Sequence, residues 1–379
     1  MHFSRLRLKN FRNYQDLELQ FNPGVNIFVG QNGQGKTNLV EALHLLVKGD
    51  SFRAGLPEVW LRKVEEGHAD FATLQASVHK AGLSNELEMR YHGGKRQFFV
   101  DQKKVISNIL PERYPAVLFS PESLAAIKEG PDQRRQLIDD ALMSHGEGAR
   151  VTDFKRALRS RNRLLRDFKA GIYQETQILE LLEAFDQVYL PLAAKLASER
   201  IRRLNELEPL IRDAVRSIAP EDLGDISVDY EISDRSAREY DLHEILQTMR
   251  NRLKLLRKSE LSYGASLVGP HKHEVHFLSA GNDARYFCSQ GQQRALILGF
   301  KMAQIMYHYS TFQVHPLLLL DDVLSELDPH KGANLLKFLE GIRSQILLTT
   351  TDISFPFEFG NKGMSVYRMK SGAVEELRP

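Results

Sequence analysis

Eight consecutive residues, Gly30-Gln31-Asn32-Gly33-Gln34-Gly35-Lys36-Thr37, fit the pattern G-x-x-x-x-G-K-[ST]. Glycines at these positions let backbone N–H groups turn inward around phosphate oxygens, and a following helix offers its positive N-terminus to the same anion. Lys36 is placed to reach the β- and γ-phosphates of a nucleoside triphosphate, and Thr37 to ligate Mg²⁺. Far downstream, "LLLLDD" (317–322) is an apolar run that ends in two carboxylates. A phosphate site needs an acid at the carboxyl end of a second strand, holding the metal through water. Asp321 takes that metal-side place, and Asp322 is set to orient the attacking water or act as base. "SELD" (325–328), taken alone, is an ordinary helix start.

These residues work only if flanking elements position them. The apolar "VNIFVG" before the loop reads as a buried strand, and "NLVEALHLLVKG" after it as an amphipathic helix. "DLELQF" (16–21) alternates with period two, as a half-buried strand does. "TLQASVHK", "ELEMRYH" and "RQFFVDQKKV" read as further strands, with "HGG" as a turn. From about Pro121 the texture turns helical. "PDQRRQLIDDALMSH" has the Pro and Asp of a helix start. The next helix is expected to be capped by Thr152 and stopped by Gly171. Pro191 is expected to split the long segment after it into two helices. A strand "ISVDYEI" and a helix around 240–260 follow. The reading is α/β: a head made of 1–120 and 263–379, with a mostly helical arm, 121–262, inserted between its halves.

At 379 residues the chain can bury at least one large core, and its net charge of +2 puts any nucleic-acid surface in local patches. Cys288 is the single cysteine, which excludes an internal disulfide and a CxxC zinc hook. No apolar run is long enough to span a membrane, and the N-terminus has no apolar leader region. A cytoplasmic protein without membrane partners is expected.

Taken in order, the phosphate loop, "CSQGQ" (288–292), "LLLLDD", "SELD" and "ILLTTTD" resemble ABC-type ATPase heads with mixed sheets. In those heads a signature sequence precedes the acidic strand and binds the ATP of the opposite subunit. The resemblance therefore implies that Ser289, Gly291 and Gln292 contact a nucleotide in trans, gripping the γ-phosphate held on a partner's Lys36. The likeness narrows with "FRNY", "LFSPESLAAIKEGPDQRRQLID", "GPHKHEV", "SQGQQR" and "LLLDDVLSELD", which resemble the RecF family of bacterial recombination mediators. Ala126 and Glu129 depart from its usual pattern, and Cys288 replaces the leucine of the general signature. By that resemblance ATP and Mg²⁺ are the cofactors. Arg12, Gly30 through Thr37 and Asn38 bind nucleotide, Lys36, Asp321, Asp322 and Thr351 act in hydrolysis, and Thr37 and Asp321 hold the metal. Compared with transporter heads, Asp322 stands in place of a glutamate, and Thr350 or Thr351 in place of a histidine. Slow, DNA-stimulated hydrolysis is implied. So are an ATP-dependent homodimer, double-stranded and gapped DNA, and RecO and RecR as partners in directing RecA. Recombinational repair, replication restart and SOS induction are the implied settings. The competing readings are a chromosome-organising ATPase, for which the arm is short, and a transporter subunit.

Two basic stretches are candidate DNA contacts: Arg150, Lys155, Arg156, Arg159, Arg161, Arg163, Arg166 and Lys169, then Arg250, Arg252, Lys254, Arg257 and Lys258. Lys95, Arg96, Lys103 and Lys104 add to them. A solvated helix face explains such runs equally well. His271, His273 and His276 could suggest a metal site, but spacing of two on a strand more often means one exposed edge.

Overall fold

A computed structural model describes residues 1–378 except 54, 66, 145, 221–222 and 353–362. The chain forms two compact units. The first comprises Met1–Ala125, Ala214–Pro220 and Ile297–Pro379; the second comprises Ala126–Asp213 and Glu221–Leu296. This division differs from the 121–262 arm mainly at 263–296, which groups with the second unit. Strand pairing accounts for that: Glu274–Ser279 runs antiparallel to Ile226–Ile232.

The first unit carries two six-stranded sheets. One is antiparallel and ordered Tyr14–Gln20, His2–Phe11, Phe71–Lys80, Leu83–His92, Lys95–Val100, Lys103–Val105. The other is ordered Ala116–Phe119, Leu317–Asp321, Ile346–Thr350, Val25–Val29, Met364–Lys370, Ala373–Arg378. It is parallel except for its last pair. Val25–Val29, Leu317–Asp321 and Ile346–Thr350 are buried at every position, as expected of mostly apolar central strands, and Asn26, Asp321, Thr349 and Thr350 are their buried polar residues. The helix Lys36–Lys48 buries Leu39, Val40, Leu43, Leu46 and Val47 in the core shared with the antiparallel sheet. The result is the mixed α/β head expected from the sequence.

The second unit holds the helices Pro131–Met143, Gly148–Lys169 and Leu242–Tyr263, most of the helix Glu175–Ile218, and a four-stranded sheet. Two local expectations fail here. Thr152 lies inside its helix and bonds the Gly148 carbonyl; the N-cap is Glu147, so the helix starts five residues earlier than a Thr152 cap requires. Pro191 does not split the long segment, since Glu175–Ile218 is one 44-residue helix with Pro191 and Pro209 inside it. A proline costs about 3 kcal/mol in a helix interior. Tyr189, Leu190, Ala193, Ala194, Leu196 and Ala197 are all buried around Pro191, and their packing outweighs that cost.

Candidate nucleotide site

The phosphate loop leaves the carboxyl end of Val25–Val29, and Gly30 N–H donates to the Thr350 carbonyl of the neighbouring strand. Gly33 and Gly35 have φ of 80° and 107°, a region that disfavours side chains. At Gly35 a Cβ would also lie 2.5 Å from the Asn13 amide. Lys36 is buried, and its ammonium donates to the carbonyls of Gly30 at 2.5 Å and Gln31 at 3.1 Å. The lysine is thus curled into the cradle formed by its own loop. Burial lowers its pKa, and the charges of Asp322 and Asp321 oppose that shift.

Sheet register brings the second half of the site to it. Asp321 pairs with Thr349, and Thr350 with Val29. Paired residues point to one face, so Asp321 and Thr349 lie side by side. Asp321 Oδ1 accepts from Thr349 Oγ1 at 2.9 Å and from Thr37 Oγ1 at 3.1 Å. Thr349 Oγ1 in turn accepts from the Asp322 N–H at 3.0 Å. Burial raises the pKa of both Asp321 and Asp322. The hydroxyls of Thr349 and Thr37 oppose the shift at Asp321, and Lys36 opposes it at Asp322. Asp322 is half-buried with a left-handed backbone, φ 48°. A serine-threonine hydroxyl beside a buried carboxylate is a hard-oxygen donor set that suits a small divalent cation. Thr37 and Asp321 therefore fit Mg²⁺.

Thr351, the expected catalytic threonine, follows the strand and is half-buried. Thr350 accepts from the Asp352 N–H and faces away. Of the threonines 349–351, the one that touches Asp321 is Thr349, which sequence reasoning missed. Period-two alternation applied to "TTT" puts Thr349 and Thr351 on one face, but register alone chooses between them.

The N-terminal turn braces the loop. Asn13 Nδ2 donates to the Gln34 carbonyl at 3.3 Å, Tyr14 Oη donates to the Gly35 carbonyl at 2.9 Å, and Asn38 donates to Asn13 at 2.8 Å. Gln34 also accepts from the Ser371 N–H. Arg12 pairs bidentately, at 2.9 and 2.8 Å, with Glu41. Glu41 is fully buried on the loop's own helix, accepts from Ser51 at 2.6 Å and lies 3.5 Å from Arg53. Arg53 also donates to Asn38 at 2.9 Å. Glu41, Arg53, Asn13 and Tyr14 were not foreseen, since a buried acid on an amphipathic helix has no sequence mark. Asp328 caps the helix Pro329–Gly341 by accepting from the Lys331 N–H.

In the second unit, Ser289 and Gln292 form a reciprocal cap at the start of the helix Gln290–Phe312. Ser289 N–H donates to Gln292 Oε1 at 2.8 Å, and Gln292 N–H to Ser289 Oγ at 3.3 Å. Ser289 is exposed, and Gly291 and Gln292 are half-exposed. The basic stretches divide. Arg161 is fully buried between Asp186 at 2.8 Å and Glu260 at 2.7 Å, and Arg257 reaches Asp186 at 2.6 Å. Arg161 leaves the list of candidate DNA contacts, because carboxylates from two other helices enclose it. Lys155, Arg156, Arg159, Arg163, Arg166 and Lys169 are exposed along the same helix. Among the described residues no group of three His, Cys, Asp or Glu could hold a metal ion. No described helix is long and apolar enough to cross a membrane.

The model of the RecF/RecN/SMC N-terminal domain family matches residues 2–374. The DNA replication and repair protein RecF of Heliobacterium modesticaldum is 34% identical over 99% of both chains. This chain belongs to the RecF family. RecF of Myxococcus xanthus is 35% identical over 93% of this chain and 91% of its own. A solved structure of the recombination mediator protein RecF with ATPrS, from the RecFOR pathway, superposes with a TM-score of 0.85 at 27% identity. It covers 100% of this chain and 98% of that one. An Smc head bound to a domain of ScpA has a TM-score of 0.56 at 15% identity over 100% and 97% of the two chains, a likeness of fold. The fold is the ABC-type ATPase head, and RecF relatives are DNA replication and repair proteins. Two of the segments that carried the RecF resemblance meet in the second unit. Arg134 pairs with Glu274 at 3.0 and 2.8 Å, and Arg135 donates to the His273 carbonyl at 2.7 Å.

Proposed function

We propose that this chain is an ATP-dependent DNA clamp of recombinational repair. The observation that carries it is the convergence of Lys36, Thr37, Asp321 and Thr349 at the carboxyl ends of three adjacent strands. Lys36 and the loop N–H groups bind the β- and γ-phosphates. Thr37 and Asp321 hold Mg²⁺, which when bound neutralises charge on the transferring phosphoryl group. Asp322 orients the attacking water, its raised pKa making it a better proton acceptor than an ordinary aspartate. Asn13 and Tyr14 keep the loop in shape, and Arg12 and Asn38 line its flank. Ser289, Gly291 and Gln292 meet the nucleotide of a second copy, so ATP closes a homodimer with two composite sites. Exposed lysines and arginines of the 148–169 helix contact phosphates of double-stranded and gapped DNA. DNA stimulates slow hydrolysis, which times release. With RecO and RecR the clamp directs RecA in repair, replication restart and SOS induction. The cytoplasm is its compartment.

The test is self-association by sedimentation velocity, with ATP, Mg²⁺ and a gapped duplex. Wild type forms a dimer with ATP. Lys36→Arg retains some ATP binding and loses most hydrolysis, because a guanidinium does not fit a cradle shaped for an ammonium. Ser289→Arg binds ATP as wild type does, yet stays monomeric. A Ser289→Arg protein that dimerises with ATP overturns the trans contact, and a Lys36→Arg protein with full hydrolysis overturns the site.

A further inference from the structure

In the segment before Ser289 only Ala284 is fully buried, so little hydrophobic anchoring fixes this short turn. Tyr286 and Phe287, its two largest side chains, are 75% and 71% exposed. Polar tethers hold it instead. Gln293 is buried, at 7% exposure, on the first turn of the helix Gln290–Phe312. Its Nε2 donates to the carbonyls of Ala284 at 2.9 Å, Cys288 at 3.1 Å and Arg285 at 3.4 Å. An amide nitrogen has two protons, so three carbonyls share them and are drawn to one point. The Gln293 N–H also donates to the Ser289 carbonyl at 2.9 Å. From the other side, Arg285 pairs with Asp283 at 2.6 Å and Glu274 at 3.4 Å. Glu274 is itself gripped by buried Arg134. The burial and hydrogen-bond cost of this polar arrangement is met only when every partner is in place.

Resting on the reading that Ser289 meets a partner's nucleotide, we propose that Gln293 is a positioning residue for Ser289, with Arg285 as its outer support. Gln293 is buried, and its role runs through the backbone carbonyls it holds. It sets the height and direction of the Ala284–Ser289 backbone, and so the aim of the Ser289 hydroxyl and the Gly291 N–H. A displacement of about 1 Å at such a contact costs on the order of 100-fold in a reaction that depends on alignment.

The experiment compares Gln293→Met, which keeps the side chain's length and removes both donors, with Arg285→Gln and Ser289→Arg in the full chain. ATP affinity is measured by equilibrium binding at protein concentrations below self-association, and dimerisation by sedimentation with ATP and Mg²⁺. Gln293→Met is expected to bind ATP within about 2-fold of wild type and to dimerise about 10-fold more weakly, the worth of one or two buried hydrogen bonds. Arg285→Gln is expected to lose about 3-fold in dimerisation, its tether being partly exposed. A purely structural role for Gln293 predicts lower thermal stability with normal dimerisation of the folded protein, and that result overturns the proposal. If Gln293→Met does not fold, Arg285→Gln decides in the same way. Ser289→Arg separates the two ideas. If it dimerises normally, the trans reading falls and the positioning role with it. If it stays monomeric while Gln293→Met and Arg285→Gln dimerise like wild type, only the positioning role falls.

Discussion

The phosphate-loop site of the first unit and the arginine cluster of the second use the same chemical groups to opposite ends. In the second unit the buried guanidinium groups of Arg134, Arg161 and Arg200 each meet a carboxylate in fork geometry. Arg200 pairs with Asp139 at 2.9 and 3.1 Å and donates to the Pro270 carbonyl at 2.7 Å. Arg161 pairs with both oxygens of Glu260, at 3.0 and 2.7 Å. In the first unit Lys36 bonds backbone carbonyls, while hydroxyls are what hold Asp321. Burial therefore raises the pKa of Asp321, and its charge is left for something else to satisfy. A completed polar network maintains a fold, whereas an incomplete one is a site awaiting charge.

The sharpest way to break this comparison is to neutralise one carboxylate in each place. Asp139→Asn leaves the buried Arg200 guanidinium without its ionic partner, and a loss of about 3–5 kcal/mol is expected in urea unfolding. Asp321→Asn is expected to act with the opposite sign. A carboxylate whose folded pKa is raised contributes stability only at low pH and is a cost once ionised. Its neutralisation therefore leaves stability at pH 7 unchanged or higher, while Mg²⁺-dependent nucleotide affinity falls. If both variants destabilise equally, Asp321 is part of the scaffold and the contrast is lost.

A smaller effect separates the three threonines. Thr349→Val removes the hydroxyl that donates to Asp321 and accepts from the Asp322 N–H, keeping the shape. Steady-state hydrolysis is expected to fall about 10-fold, the worth of one charge-assisted hydrogen bond. Thr351→Val is expected to stay within about 2-fold. The reverse ranking would restore Thr351 as the residue that matters.

Much of the site was legible because phosphate chemistry demands particular residues at fixed spacing. The glycines, Lys36, Thr37 and the paired aspartates follow from that demand, and the apolar runs "VNIFV" and "LLLLD" betray their buried strands. What stayed hidden depends on three-dimensional registry. Thr349 needed the pairing of Asp321 with Thr349, and Glu41 needed the approach of Arg12 and Arg53 from distant segments. Arg161 looked like part of a basic face, because nothing in "RSRNRLLR" shows that Asp186 and Glu260 come to it. The Pro191 break failed for a related reason, as local preference yielded to packing along the helix.

His271 lies between the two extremes and supplies the finest test. Its Nε2 bonds the Ser266 carbonyl at 2.9 Å, and its buried Nδ1 has no hydrogen-bond partner among the described residues. Burial is the main reason its pKa is lowered to about 4, with Lys272, Arg135 and Arg161 adding repulsion. A group with a depressed folded pKa supports the fold above its unfolded pKa, near 6.5 for histidine, and loses that support as pH falls toward the folded value. Unfolding free energy should therefore fall between pH 7 and pH 5. His271→Gln keeps an amide donor for the Ser266 carbonyl and cannot titrate. Its loss of stability between pH 7 and pH 5 is expected to be about 1–2 kcal/mol smaller than that of wild type. His273 and His308, also held low by burial, keep the remaining slope. Equal slopes in wild type and variant would mean that His271 is solvated well enough to titrate in the folded protein. The half-satisfied imidazole would then be no intermediate between a finished network and an open site.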